Sequence, residues 1–148
     1  MEKLVLENNK EDYYILEIND NGDTIEFDLT DITLPERIIN AGENMENLGK
    51  EYSQKEKELL EQYKDDEETL TKEYIKLAKE HGQKSRKIFD SFLGEGTCYK
   101  IFGEKESLDQ YLRLMDALQP HFEKMQIKKE KAQQRLVDKY LNRQSDVI

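Results

Sequence analysis

Tryptophan is absent from this chain of 148 residues, cysteine occurs once, and proline and histidine occur twice each. The single thiol, Cys98, excludes an internal disulfide and suits a reducing compartment. His81 and His121 stand outside any CxxC or HxxxH spacing, so no zinc site and no other cofactor is expected. No run of about 18 apolar residues occurs, which excludes a membrane-spanning helix. The N-terminus lacks the basic-then-apolar pattern of a secretory signal, and the expected location is the cytoplasm. Apolar residues make up 36% of the chain against 38% charged, with a mean hydropathy of -0.95. That balance is too polar for a thick globular core. The charges are nevertheless interleaved with periodic apolar residues, a pattern that favours long amphipathic helices over disorder.

Charge is unevenly distributed along the chain. Residues 1–50 hold 4 basic and 13 acidic side chains, residues 51–81 hold 6 and 10, and residues 82–148 hold 13 and 10, giving net charges of -9, -4 and +3. An acidic front half argues against nucleic acid as a partner, because phosphate binding requires a basic surface. The opposite signs favour the tail lying near the front of its own chain or of another copy.

Three regions of one domain follow in order. The first, residues 1–34, centres on a β-hairpin. Tyr14, Leu16 and Ile18 alternate with Tyr13, Ile15 and Glu17, and Ile25, Phe27 and Leu29 alternate with Glu26 and Asp28, across a turn containing Asn21-Gly22. Lys3–Glu7 is a further short strand candidate. A calcium loop drawn on Glu17, Asn19, Asn21 and Asp28 lacks the expected first and last ligands and flanking helices. Strand alternation accounts for the same residues without a metal.

The second region, residues 35–81, reads as a charged amphipathic helix opened by Asp31 or Thr33 and Pro35. Ile38, Ala41, Met45, Leu48, Tyr52 and Leu59 form a heptad-like stripe, which Leu60, Tyr63, Leu70, Tyr74 and Leu77 continue after a phase shift. The seam has gaps at Lys55 or Glu56 and at Asp66 or Glu67, and Gly42 and Gly49, each weakening the helix by about 1 kcal/mol relative to alanine, make the first turns an alternative place for a break. Unbroken, the helix would be about 70 Å long and would have to pair with the C-terminal helix or another subunit. His81-Gly82 is its expected end.

The third region, residues 82–148, is helical. Ile88, Phe89, Phe92 and Leu93 share one helix face, ended by Gly94; Thr97 is the expected cap of a second short helix carrying Cys98, Ile101 and Phe102 and closed by Gly103. Ser107 is the expected cap of a last helix, striped by Leu108, Tyr111, Leu112, Met115, Leu118, Phe122 and Met125 and kinked at Pro120. The basic arm beyond it, Lys124 to Arg143, reads as a solvated face, with a docking surface for an acidic partner as the alternative. Fraying is expected over Gln144 to Ile148. The fold class is therefore α+β and mainly α: an N-terminal hairpin, long amphipathic helices and a glycine-bounded helix-turn-helix.

Catalytic signatures are missing. Gly94-x-Gly96 lacks the third glycine of a dinucleotide fingerprint, since position 99 is Tyr99, and no Gly-Lys-Ser or Gly-Lys-Thr follows for a phosphate loop. Cys98 sits among apolar residues with neither histidine spaced to act as its base. An enzyme is not expected.

The pattern F-x-x-x-L-G-E-G-x-x-x-K-I-F-G from Phe89 to Gly103, the leucine-rich stretch Leu108–Leu118 and the segment Pro120-His121-Phe122-Glu123-Lys124-Met125 resemble the small tail assembly chaperones of long-tailed phages and prophages of Gram-positive bacteria. The resemblance implies a protein that acts in the host cytoplasm and is absent from the mature virion. It would bind and solubilise the tape measure protein and help recruit tail tube subunits. It also makes Ile88, Phe89, Phe92, Leu93, Ile101 and Phe102 candidate partner contacts, alternatively the domain core, with Gly94, Glu95, Gly96 and Gly103 as the motif turn. A homo-oligomer is expected, with neither nucleic acid nor membrane as partner. The competing expectation is an oligomeric coiled-coil scaffold or adaptor that self-associates through residues 38–77.

Overall fold

The computed structural model describes residues 1–7 and 9–146. Strands β1 (Tyr13–Glu17) and β2 (Thr24–Asp28) precede helices α1 (Leu34–Gln62), α2 (Glu67–Leu93), α3 (Thr97–Phe102) and α4 (Gln110–Asp146). The architecture is α+β and mainly α, with a two-stranded hairpin followed by long helices.

The anticipated hairpin forms, with Tyr14 opposite Phe27 and Leu16 opposite Ile25. Its apolar face is Ile25, Phe27 and Leu29, all buried, with Tyr14, Leu16 and Ile18 packed on the same core. Two strands alone are marginal in water; here helices supply the cover. Lys3–Glu7 adds no third strand. In the connecting loop the Asn19 carboxamide accepts from the Asn21 and Asp23 N–H groups and donates to Asp23 Oδ2 and to the Lys100 carbonyl in α3. The residue considered as a calcium ligand is thus a bracket for the turn.

The long helix is broken. α1 stops at Gln62, the turn Tyr63–Asp66 reverses the chain, and Asp66 caps α2 by accepting from the Thr69 N–H (3.2 Å) and hydroxyl (2.6 Å). α1 and α2 then pack along each other. α1 runs unbroken through Gly42, Gly49 and the first gap at Lys55–Glu56; the reversal lies just after the phase shift at Leu59–Leu60 and ends at the second gap. A straight rod would leave its stripe in water, whereas the hairpin buries Leu48 and Leu77 and sets Tyr52 against Tyr74 and His81, with ring centroids 6.5 and 4.7 Å apart. The expected Glu51–Lys55 and Glu68–Lys72 pairs form on the outside at 2.8 and 3.3 Å.

A second correction concerns His81-Gly82, where α2 continues for another eleven residues to Leu93. A boundary between residues 81 and 82 therefore falls inside a helix. α4 likewise opens at Gln110, not at Ser107: the Ser107 hydroxyl donates to Asp109 Oδ1, the Arg113 N–H donates to Asp109 O, and Leu108 lies outside the helix and exposed. α4 runs through Pro120. Of the stretch expected to fray, α4 takes in residues up to Asp146, and 147–148 lie outside the described residues.

One core joins these elements. It combines the hairpin face, Leu34, Ile38, Ala41 and Met45 of α1, the last turns of α2, Cys98 of α3, and Tyr111, Leu118 and Met125 of α4. The seven-residue spacing in α4 keeps those three side chains on one stripe. Among the described residues, no helix is long and apolar enough to cross a membrane.

Candidate functional site

The segment Ile88–Gly103 folds as a tight helix-turn-helix against α4. Phe89 (0% exposed), Phe92 and Leu93 are buried, while Ile88, Ile101 and Phe102 are half-buried. The rings interlock: Phe89 lies 5.8 Å from both Phe92 and Tyr111, Phe92 lies 6.2 Å from Phe122, and Phe102 lies 5.5 Å from Tyr111. Such pairs add about 0.5–1.5 kcal/mol beyond the area they bury. Five of the six candidate contacts thus belong to the core or pack against it, and the sixth, Ile101, is half-buried beside it.

The turn is set by backbone conformation. Gly96, with φ of +81°, occupies the left-handed region at the start of α3 and displaces Thr97 from the capping position. The Thr97 hydroxyl instead donates back to the Leu93 carbonyl. The capping carboxylate is Asp90, which accepts from the Cys98 N–H (2.9 Å) and the Gly96 N–H (3.2 Å). Sequence reasoning passed over Asp90. Its signal is an acidic side chain in the last turn of a helix, where the dipole disfavours negative charge unless another partner is present. Gly94 and Gly103 also have positive φ, and Glu95 points to solvent.

Cys98 is fully buried, with Sγ directed at the Arg86 carbonyl. Burial, and next the hydrogen bond with Asp90, push its thiol far above the usual range. It is a core side chain, not a nucleophile held as thiolate.

Behind the knot lies a polar cluster that no sequence motif announced. Arg86 donates through Nε to the Tyr111 hydroxyl (3.2 Å) and through Nη1 to the Gly103 carbonyl (2.8 Å), and pairs with Glu106 at 3.1 Å. The Glu106 carboxylate also accepts from the Tyr111 hydroxyl and Gln110 Nε2. This carboxylate lies against Gly82: a Cβ there would stand 2.2 Å from Glu106 Oε2. The buried glycine inside α2 has a packing reason. Together these residues lock the Gly103–Gln110 connection onto α2.

A family model described as "Family of unknown function (DUF6673)" matches residues 21–146. The chain belongs to this family. No curated protein and no solved structure matches it. The DUF6673 match spans the glycine-bounded knot, the Arg86–Glu106 cluster and all four helices, and leaves β1 outside.

Two further features of this DUF6673 chain bear on binding. An apolar groove of about 220 Å³ opens between Leu29, Leu34, Pro35, Ile38, Phe122 and Met125. Beyond it, α4 is tied to the N-terminal segment by Tyr14 Oη–His121 Nδ1 (2.7 Å), Lys128 Nζ–Tyr13 O (2.5 Å) and Arg135–Glu11 (2.6 Å). Leu136, Val137 and Tyr140, past the last of these ties, are exposed.

His81 gives a pH-dependent expectation. Burial holds its imidazole below its ordinary value of 6.5, opposed by the Glu106 charge and assisted by Lys84. A depressed folded-state value means that His81 contributes its full stability above pH 6.5 and loses it as pH falls through the lower value. In urea unfolding between pH 7 and pH 5, the native chain should lose more stability than a His81→Gln variant. Parallel pH profiles would remove His81 as a cause.

Proposed function

We propose that this protein is a tail assembly chaperone of a long-tailed phage or prophage, binding and solubilising the tape measure protein and helping to recruit tail tube subunits. The reading is of a non-enzymatic protein that acts in the bacterial cytoplasm and is left out of the mature virion. The observation that carries it is the Phe89–Gly103 motif, which folds as a compact glycine-bounded knot between helical arms. The knot organises the protein, and partner contact is assigned to the apolar groove beside Phe122 and to exposed arm residues such as Leu136, Val137 and Tyr140. An amphipathic helix of an aggregation-prone partner fits such surfaces, and the chain's net charge of -10 would keep the complex dispersed.

Co-expression with the tape measure protein of the same genome tests this. The tape measure protein should move from the pellet into a soluble complex that copurifies with this chain. The proposal fails if the tape measure protein stays insoluble while this chain remains free in solution.

A further inference from the structure

We propose that Asn21 is a spontaneous modification site, whose side-chain amide is lost to attack by the Gly22 backbone nitrogen, leaving aspartate and isoaspartate in the hairpin connection. The inference is independent of the chaperone reading.

Asn21 and Gly22 sit exposed in the connection between β1 and β2. Asparagine is among the thermolabile residues, and a following glycine has no side chain to crowd the attacking nitrogen. The surroundings are open as well: a Cβ built on Gly22 would meet nothing within 4 Å. The neighbouring Asn19 carboxamide is committed to Asp23 Oδ2, the Lys100 carbonyl and two backbone N–H groups. The Asn21 carboxamide, by contrast, takes no hydrogen bond among the described residues. One bond restrains the nucleophile, from the Gly22 N–H to the Asn19 carbonyl, and at 3.3 Å it is longer than an ordinary N–H···O bond. An exposed turn held this loosely opens at small cost.

The reaction needs only water. The Gly22 N–H gives its proton to solvent and the nitrogen bonds to Asn21 Cγ. The bond from Cγ to the side-chain nitrogen breaks, and ammonia leaves behind a five-membered succinimide. Water then opens the ring. Addition at the side-chain carbonyl restores an ordinary aspartate linkage. Addition at the main-chain carbonyl gives isoaspartate, whose backbone runs through the former side chain and is one methylene longer.

That methylene enters where the turn is bracketed. Asn19 Oδ1 accepts from the Asn21 N–H at 3.0 Å and the Asp23 N–H at 3.1 Å, on either side of the link that lengthens. A longer link draws one of these donors away. The same carboxamide carries the 3.1 Å bond to the Lys100 carbonyl, which joins the hairpin to α3. The new carboxylate also stands between Asp20 and Asp23. Isoaspartate at position 21 therefore loosens the tie between the hairpin and the glycine-bounded knot.

The chain supplies its own controls. Asn40, Asn44 and Asn47 are also exposed but lie inside α1, followed by Ala41, Met45 and Leu48. Their next N–H groups are held in the helix ladder.

Prolonged incubation of the full chain in mildly alkaline buffer, with peptide mapping by mass spectrometry and an enzymatic isoaspartate assay, reads the outcome. The Asn21 peptide should gain the mass of an amide-to-acid exchange and score for isoaspartate, while the three helical asparagines keep their amides. Gly22→Ala should suppress the conversion. Asn21→Gln should do so with the glycine left in place, because its longer side chain would have to close a six-membered ring. In the aged chain, hydrogen exchange at the Asn21 and Asp23 amides should quicken. Asn21→Asp, which adds the charge without lengthening the backbone, should leave it slow. The proposal is overturned if Asn21 keeps its amide as long as the helical asparagines do, or if the acid appears without isoaspartate. Unchanged exchange in the aged chain would overturn the loosening of the hairpin.

Discussion

Phe89→Ala is expected to lower the free energy of unfolding by about 4 kcal/mol, within the range found for large aromatic truncations in close-packed cores. The ring has no exposed surface and touches α4 through Tyr111 as well as its neighbour Phe92. Its removal takes a partner from both aromatic contacts and leaves a void bounded by helices that cannot move together independently. Against a typical stability of 5–15 kcal/mol, a loss of this size brings the chain near its threshold. The measurement is a urea titration, in which the midpoint should fall sharply for Phe89→Ala and hardly at all for Tyr99→Ala, whose side chain on α3 is exposed. A Phe89→Ala variant as stable as the native chain would show that the ring is not core. If that variant also lost its partner, Phe89 would return as a contact residue.

The hairpin was legible because its signal is local. Period-two alternation on either side of Asn21-Gly22 specifies both strands and the face they bury; the register, with Leu16 opposite Ile25 and residues 18–23 in the connection, is two residues away from what a two-residue Asn21-Gly22 turn would give. The knot was legible for a similar reason, as Ile88, Phe89, Phe92 and Leu93 are one face of one helix and positive-φ glycines follow. The reversal at Tyr63–Asp66 was visible only as a flaw in a stripe. Choosing between a rod and a hairpin requires comparing what each arrangement leaves in water, and that comparison involves Tyr52 meeting Tyr74 and His81 across the turn. The Arg86 cluster was hidden altogether. Arg86 is one of 23 basic residues and Glu106 one of 33 acidic residues, twenty positions apart. Gly82 looked like a helix end because glycine weakens helices by about 1 kcal/mol relative to alanine. The carboxylate that needs its missing side chain arrives from another part of the chain.

That cluster yields the second large effect. Arg86→Met should cost about 2 kcal/mol, the range for losing hydrogen bonds to a charged group, because the pair is only partly buried, with side chains 19% and 25% exposed. The loss comes from the partners left behind: the Glu106 carboxylate beside Gly82 and Gln110 loses its cation, and the Gly103 carbonyl loses a charged donor. Gly82→Ala provides a separate test of the same geometry. In the native background its Cβ would stand 2.2 Å from Glu106 Oε2, so the carboxylate must leave its hydrogen bonds and the variant should be destabilised. In a Glu106→Ala background that obstacle is gone, and the same Gly82→Ala change should stabilise by up to about 1 kcal/mol through helix propensity. The reversal of sign is the diagnostic, because it requires direct coupling between the two positions. Equal effects of Gly82→Ala in the two backgrounds, measured by urea unfolding, would place Glu106 away from α2 and dissolve the cluster as the lock on this connection.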